Sequence, residues 1–468
     1  MTYLEDGDKK VINGKQANQM QETHQHQHQH QQQRVLLVLV DLEGQTEESL
    51  EWELAELKEL VMTAGGQVTG SASQRRAKAD RALLVGKGKA QEIAQLAEAQ
   101  EATLVIFNRQ LSPAQLRNLE EIIPAQVLDR NQLILDIFAQ RAASLEGKLQ
   151  VELAQLQYVL PRLTGRGVEM SRLGGGIGTR GPGETKLETD RRRIHRKIEI
   201  LKADLKEVEQ RRAHQRKHRQ KQGIPLISLV GYTNTGKTSL LSALTDAVTL
   251  GEDKLFATLD PAIRQLELPS GQKALLSDTV GFIRHLPPQL VEAFKATLEE
   301  IREADLVLHV VDASHPQLEE QAVTVQQVLK GIGADQVTVI LVLNKIDKIW
   351  ESGQAAEGGQ QGGNGAIPRI AEIELLLAAQ GLQGETVAVS AVKGTNLTKL
   401  LAMIEDSLNR GLAQVQAVIP YSQGQLFSYL KEKTVISSVE YINEGILVEF
   451  LADEEILGLV GAFLVTSS

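Results

Sequence analysis

Along the first third of the chain, short apolar runs alternate with amphipathic stretches. Residues 35–40, 103–107 and 125–128 read as buried strands; residues 47–63, 87–99, 112–122 and 131–144 carry the helical period. Strands alternating with helices predict βαβ units and a parallel sheet over residues 34–144. Further on, Leu145, Leu149, Leu153, Leu156, Leu160 and Leu163 recur every three or four positions, and so do Ile194, Ile198, Leu201, Leu205 and Val208. Each series is the apolar seam of a helix that packs along another. Residues 164–185 between them hold eight glycines and Pro182, too many for a helix. The expected structure over residues 145–222 is an antiparallel two-helix arm with a glycine-rich tip loop at 164–185. Buried-strand runs return at 224–230, 337–343 and 387–389, within a third unit spanning 223–411. Residues 351–367, rich in Gly and Gln, read as a flexible surface insertion in it. The last piece, 412–468, predicts a small α+β domain with a helix at 423–432 and strands at 444–451 and 457–465.

Composition narrows this picture. A chain of 468 residues exceeds what one core supports, and 42% hydrophobic with 24% charged residues is a globular balance. There is no cysteine, which excludes disulfides and thiolate metal sites. Residues 1–33 lack the apolar segment of a signal peptide, and no apolar run approaches the ~20 residues that span a bilayer. A cytoplasmic protein is expected. The same tract, with His24, His26, His28 and His30 alternating with Gln, reads as a disordered tail, with metal chelation the lesser alternative.

Charge is uneven. Residues 186–221 carry 14 Lys/Arg against 6 Asp/Glu, a net of +8, in a chain whose total is −10. A basic element on an acidic protein points to a polyanion. The tip adds Arg166, Arg172 and Arg180, and the second helix opens with Arg191, Arg192 and Arg193. Glycine backbone and arginines together suit contact with an RNA phosphate backbone; the bland alternatives are a solvated helix face and a loop without a partner. In the first domain, Gly86-Lys87-Gly88-Lys89 opens a predicted helix that could hold a phosphate, although an ordinary strand–helix turn explains it equally well.

The decisive chemistry follows residue 230. Gly231-Tyr232-Thr233-Asn234-Thr235-Gly236-Lys237-Thr238 matches G-x-x-x-x-G-K-[ST] between a strand and a helix that runs through Ser239 to Thr245. In such a loop backbone N–H groups converge on phosphate, Lys237 bridges the β- and γ-phosphates, and Thr238 holds Mg²⁺. Asp278-Thr279-Val280-Gly281 at a strand end supplies a carboxylate for the Mg²⁺ shell and a glycine whose N–H reaches the γ-phosphate. Thr258 is the candidate switch threonine, a third Mg²⁺ ligand. Asn344-Lys345-Ile346-Asp347 selects the base. A carboxylate at Asp347 accepts from guanine N1–H and its amine, which adenine cannot match. Ser390, Ala391 and Val392 meet the guanine oxygen. The expected fold class is therefore α/β: an N-terminal parallel α/β domain, the two-helix arm, a Ras-like P-loop G domain and a small C-terminal α+β domain. A P-loop ATPase or kinase is the enzymatic alternative, and the guanine motif argues against it.

The four motifs look like those of a translation-factor-class GTPase. Gly181-Pro182-Gly183-Glu184-Thr185-Lys186-Leu187-Glu188-Thr189-Asp190-Arg191-Arg192, the glycines before it, and Asp278 through Arg284 closely resemble the signature of the HflX family over residues 34–410. Lys186 departs from it, standing where glutamine is expected. The resemblance implies a GTPase that binds GTP and GDP, engages the large ribosomal subunit and its RNA, and in the GTP state splits or rescues stalled or idle ribosomes; a monomer is expected because the seam residues are used within one chain. Phe282 follows Gly281 where Ras-like enzymes place a water-orienting glutamine, so slow intrinsic hydrolysis is expected, completed by the ribosome. Asn234 resembles the asparagine that holds K⁺ in GTPases related to Era. The alternative function is a nucleotide-switched ribosome-assembly or peripheral-membrane regulator with little turnover.

Overall fold

A computed structural model describes residues 33–42, 44–163, 182–245, 256, 262–284, 287, 289–290, 294–350, 366–382 and 384–465. Side chains of 182–187, 215–222, 295–297, 366–368 and 432 lie outside the description. The histidine tract, Arg166, Arg172, Arg180, Thr258 and residues 351–365 of the insertion also lie outside the described residues.

The N-terminal sheet contains β1 (Arg34–Asp41), β2 (Gln67–Arg75), β3 (Leu104–Phe107) and β4 (Gln126–Asp129), all parallel in the order β2-β1-β3-β4. Its helices are α1 (Glu47–Thr63), α2 (Lys87–Ala99), α3 (Pro113–Glu120) and α4 (Arg130–Arg141). β1 is apolar on both faces because helices cover both. Leu36, Val38 and Val40 pack toward Ile93 of α2, while Val35, Leu37 and Leu39 pack toward Leu57 of α1 and Phe138 of α4. Side chains set the helix starts: Thr46 caps α1, Ser112 builds a capping box on α3, and Asp129 caps α4. β2 is absent from the apolar pattern. It is a polar edge strand, half-exposed, and so leaves no apolar run.

The arm consists of α5 (Leu145–Val159), continued by a 3₁₀ turn to Leu163, and α6 (Pro182–Gln222). Leu153, Ile198, Leu201 and Leu205 form its buried seam, flanked by Leu149, Leu156, Leu160 and Ile194. Leu145 departs from the seam; it is 69% exposed. Residues 182–185, expected in the tip loop, belong to α6. Pro182 begins the helix, where its missing N–H costs nothing. α6 has 41 residues, about 60 Å at 1.5 Å each, and only Gly223, Ile224 and Pro225 separate it from the next strand.

That strand, β5 (Leu226–Gly231), lies inside a six-stranded sheet. The others are β6 (Ala262–Glu267), β7 (Lys273–Asp278), β8 (Leu306–Asp312), β9 (Val339–Asn344) and β10 (Glu385–Ala388), in the order β10-β9-β8-β5-β7-β6. All neighbours pair parallel except β6 with β7. Helices α7 (Lys237–Thr245), α8 (Lys295–Arg302), α9 (Leu318–Gly331), α10 (Ala366–Ala379) and α11 (Leu397–Leu408) accompany it. The first core does not stop at the domain edge: Phe138 and Leu57 share one buried cluster with Tyr232, Phe256, Phe282 and Phe294.

The C-terminal piece holds an antiparallel sheet, β11 (Ala413–Ile419), β13 (Gly445–Ala452) and β12 (Ile436–Ile442), with α12 (Gly424–Lys433) and α13 (Glu454–Val460). The strand expected at 457–465 is instead the end of α13 and a 3₁₀ turn, Gly461–Phe463. A short apolar run serves either conformation, and Asp453 caps it as a helix by accepting from Ile456 N at 2.8 Å.

Candidate nucleotide site

β5 ends in the glycine-rich loop and α7 begins at its lysine. Three glycines are fixed by contact. A Cβ on Gly231 would sit 2.3 Å from Val310 O, one on Gly236 (φ +89°) would sit 2.4 Å from Asn344 Nδ2, and one on Gly281 would sit 2.9 Å from Thr233 Cγ2. The loop and the 278–284 segment are stitched by backbone: Thr233 N donates to Phe282 O (2.7 Å) and Phe282 N to Gly231 O (3.1 Å).

The expected phosphate and metal groups converge. Lys237 Nζ donates to Gly231 O (3.1 Å) and Tyr232 O (2.7 Å). Burial pushes its pKa down to about 8; Asp278 opposes that shift and Lys345 adds to it. Thr238 Oγ1 donates to Asp278 Oδ2 at 2.8 Å, and Asp278 is fully buried. A hydroxyl beside a buried carboxylate is a pair of hard oxygen donors, which fits Mg²⁺. Among the described residues no three His, Asp or Glu side chains cluster around a metal position. Thr279 Oγ1 donates to Leu229 O (2.6 Å), which ties the end of β7 to β5 and aims Thr279 away from the loop. Val280 is buried.

The base-side residues form a second group. Asn344 joins two loops: its Nδ2 donates to Thr235 O (2.9 Å) and its Oδ1 accepts from Ala391 N (3.1 Å). Ser390 Oγ donates to Asp347 Oδ1 (2.5 Å) and accepts from Lys393 N (3.2 Å). Lys345 has φ +65°, pairs with Asp312 (2.8 Å) and donates to Asn234 O (2.6 Å). Asn234 itself has φ +61°, and Val392 is 78% exposed beside the loop. Ser239 follows on the first turn of α7.

Tyr232 is used differently from its expected place in the loop. Its side chain turns away to the N-terminal domain, where its hydroxyl donates to Glu56 and accepts from Arg284 N at 2.8 Å. Burial, then Glu56, raise its pKa well above the ordinary value, so it keeps its proton. Glu56 also pairs with the fully buried Arg130 (2.7 Å), whose Nη2 donates to Arg284 O at 3.2 Å. Sequence reasoning missed Glu56 and Arg130, and met Arg284 only as part of a family-like motif, without its tie to the N-terminal domain. Arg191, Arg192 and Arg193 are exposed on α6, and Arg192 pairs with Glu188 (2.7 Å). Among the described residues no helix is long and apolar enough to cross a membrane.

Loop, switch-side carboxylate and base motif on one parallel sheet define a P-loop GTPase, which hydrolyses GTP and, like such enzymes generally, uses Mg²⁺. Three family profiles match the chain in succession between residues 51 and 345: "GTP-binding GTPase N-terminal" at residues 51–139, "GTP-binding GTPase Middle Region" at 141–219 and "50S ribosome-binding GTPase" at 226–345. The chain is 45% identical to the GTPase HflX of Caldanaerobacter subterraneus, over 88% of this chain and 90% of that one. It is 42% identical to the GTPase HflX of Escherichia coli, over 84% and 87%. The chain belongs to the HflX family. Among solved structures, a GTP-binding protein from Sulfolobus solfataricus in complex with GDP aligns at 27% identity over 81% of this chain and 99% of that one, with a TM-score of 0.41, too low for finer comparison.

Proposed function

We propose that this GTPase binds the large ribosomal subunit in its GTP state, splits or rescues stalled or idle ribosomes, and is released when the ribosome stimulates hydrolysis. Its site residues are assigned as follows. The loop from Gly231 through Ser239 cradles the phosphates by backbone, with Lys237 between the β- and γ-phosphates. Thr238 and Asp278 hold Mg²⁺ with Thr258, and the ion neutralises charge on the transferring phosphoryl group. Gly281 N–H meets the γ-phosphate. Asn344, Lys345, Asp347, Ser390, Ala391 and Val392 hold guanine. Water attacks the γ-phosphorus, the bond to the β-bridging oxygen breaks, and GDP and phosphate leave.

One observation carries the ribosomal part. Phe282 stands where water is oriented, is 3% exposed and offers neither donor nor acceptor. Its backbone N–H and C=O are already spent on the loop. The missing group must therefore come in trans, and the profile over the G domain is that of 50S-binding GTPases. The exposed Arg191–Arg193 row, with Arg166, Arg172 and Arg180 of the tip, supplies RNA phosphate contacts. Hydrolysis should rise at least about tenfold with purified large subunits, and binding should require a GTP analogue rather than GDP. No stimulation with subunits, together with activation by lipid vesicles, would instead establish the membrane-associated regulator. K⁺ beside Asn234 is assigned the role of an extra positive charge on the phosphates; equal rates in matched KCl and NaCl would remove it.

A further inference from the structure

The contacts of α4 with the G domain are made at both ends of the helix, and each end touches a different part of the nucleotide site's surroundings. At its start Arg130 is fully buried and holds Arg284 O (3.2 Å) and Glu56 (2.7 Å), while Glu56 takes the Tyr232 hydroxyl. Tyr232 in turn accepts from Arg284 N (2.8 Å). The phosphate loop, the 278–284 segment and two N-terminal helices thus share one closed hydrogen-bonded set. Near its end, Phe138 packs on Phe256 (centroids 4.6 Å) and on Phe294 (5.3 Å), residues on either side of β6 and β7. α4 leads through three residues into α5 of the arm. A second tie runs in parallel: Arg212 of α6 pairs with Glu146 of α5 (2.7 Å) and with Glu300 of α8 (2.9 Å), the helix after Phe294.

We infer that α4 is the nucleotide sensor of this chain: Arg130 and Phe138 read the positions of Arg284, Phe256 and Phe294 and pass them to the arm. The physical ground is bistability. Movement of the Arg284 carbonyl takes from the buried Arg130 Nη2 one of its acceptors, and movement of Phe256 or Phe294 opens a hole against Phe138. The set therefore shifts as a unit or stays. Coupling is reciprocal, so a side chain that grips one arrangement must alter the balance of affinities for GTP and GDP. Glu56, Tyr232, Arg130 and Phe138 act here as positioning residues through their side chains. The inference rests on the nucleotide site alone and deepens the proposed cycle without needing the ribosome.

The test uses the full chain without ribosomes. Because there is no native cysteine, Met62→Cys and Leu375→Cys, both at exposed positions, give a clean donor–acceptor pair for energy transfer between the two halves. Energy transfer should differ between the GDP and GTP-analogue states. Tyr232→Phe and Phe138→Leu, two independent variants, should each change the ratio of GTP-analogue to GDP affinity by about fivefold or more and shrink the transfer change. General destabilisation weakens both nucleotides alike and leaves the ratio alone. Ratios within twofold of the parent in both variants, or a parent whose transfer is the same in both nucleotide states, would overturn the inference. Loss of ribosome stimulation, a separate measurement, would touch only the proposed function.

Discussion

At the C-terminal edge of the N-terminal sheet, Asp129 accepts from Gln132 N, Leu111 N, the Tyr158 hydroxyl and Arg162. At the same edge of the central sheet, the buried Asp278 accepts from Thr238 Oγ1 at 2.8 Å, beside the buried Lys237. Both sheets are parallel apart from the antiparallel edge strand β6 of the second, both have helices on each face, and both place a glycine and a lysine at the start of a helix. In the first, Gly86 N is bonded to Gln74 Oε1 (2.9 Å), a Cβ there would meet Arg76 Nη1 at 2.8 Å, and Lys89 pairs with Glu92 (2.7 Å). That edge is closed by its own side chains. In the second, backbone bonds and the Asn344 side chain join the loops, and Lys237 Nζ donates to the carbonyl oxygens of Gly231 and Tyr232. A winding that can bind a ligand does so where the chain leaves charges to be completed by something else.

Several changes should break or sharpen this contrast. Lys237→Ala should lower GTP affinity by about 1,000-fold, read by titration of a fluorescent nucleotide, because it removes the charge aimed at the phosphates; Lys89→Ala should stay within twofold. Equal losses would mean that both edges carry nucleotide. Asp347→Asn should reduce the preference for guanine over adenine by about 100-fold, measured as a ratio of dissociation constants. An unchanged preference would move base recognition off Asp347. On the closed edge, Tyr158→Phe removes a donor to buried Asp129. Urea unfolding should show a loss of about 2 kcal/mol while nucleotide affinity holds.

An effect confined to acid pH concerns His309 in the central sheet. Burial, then Lys237, lowers its pKa from 6.5 to about 4. Between those values the unfolded chain takes up a proton that the folded chain refuses. Stability is therefore complete above about pH 6.5 and is lost as pH falls toward 4, by about 1 kcal/mol per unit. His309→Leu should flatten that part of the stability curve relative to the parent; parallel curves would place the titration elsewhere.

What the sequence disclosed follows from distance along the chain. The phosphate loop, Asp278 through Gly281 and Asn344 through Asp347 are each contiguous, so their residue types and order announce their chemistry before folding. The seam of the arm was legible because its period is local. Tyr232 and Glu56 are 176 positions apart, and Arg130 and Arg284 are 154 apart, so no window of sequence contains the pair. β2 escaped notice because an edge strand needs no apolar run, and residues 457–465 misled because nine apolar-rich residues suit a helix end as well as a strand. The burial of Phe282 adds what its identity alone could not: the ring is part of the shared core, and its backbone is already committed to the loop.

The three residues between α6 and β5 have a mechanical meaning. Gly223 sits at φ +68°, Pro225 is rigid, and Leu226 N is bonded to Asp305 Oδ2 at 2.7 Å, so the root of the long helix is clamped close to the strand bearing the phosphate loop. A rod about 60 Å long rooted there, and moving with α5 to which its seam holds it, has large leverage. Turning it by about 10° sweeps its far end through about 10 Å, enough to pass a nucleotide, while the root moves by a fraction of that. Conversely, a small load at the far end arrives at the root as torque on β5, so the same geometry lets whatever grips the tip pull on the loop that holds the phosphates.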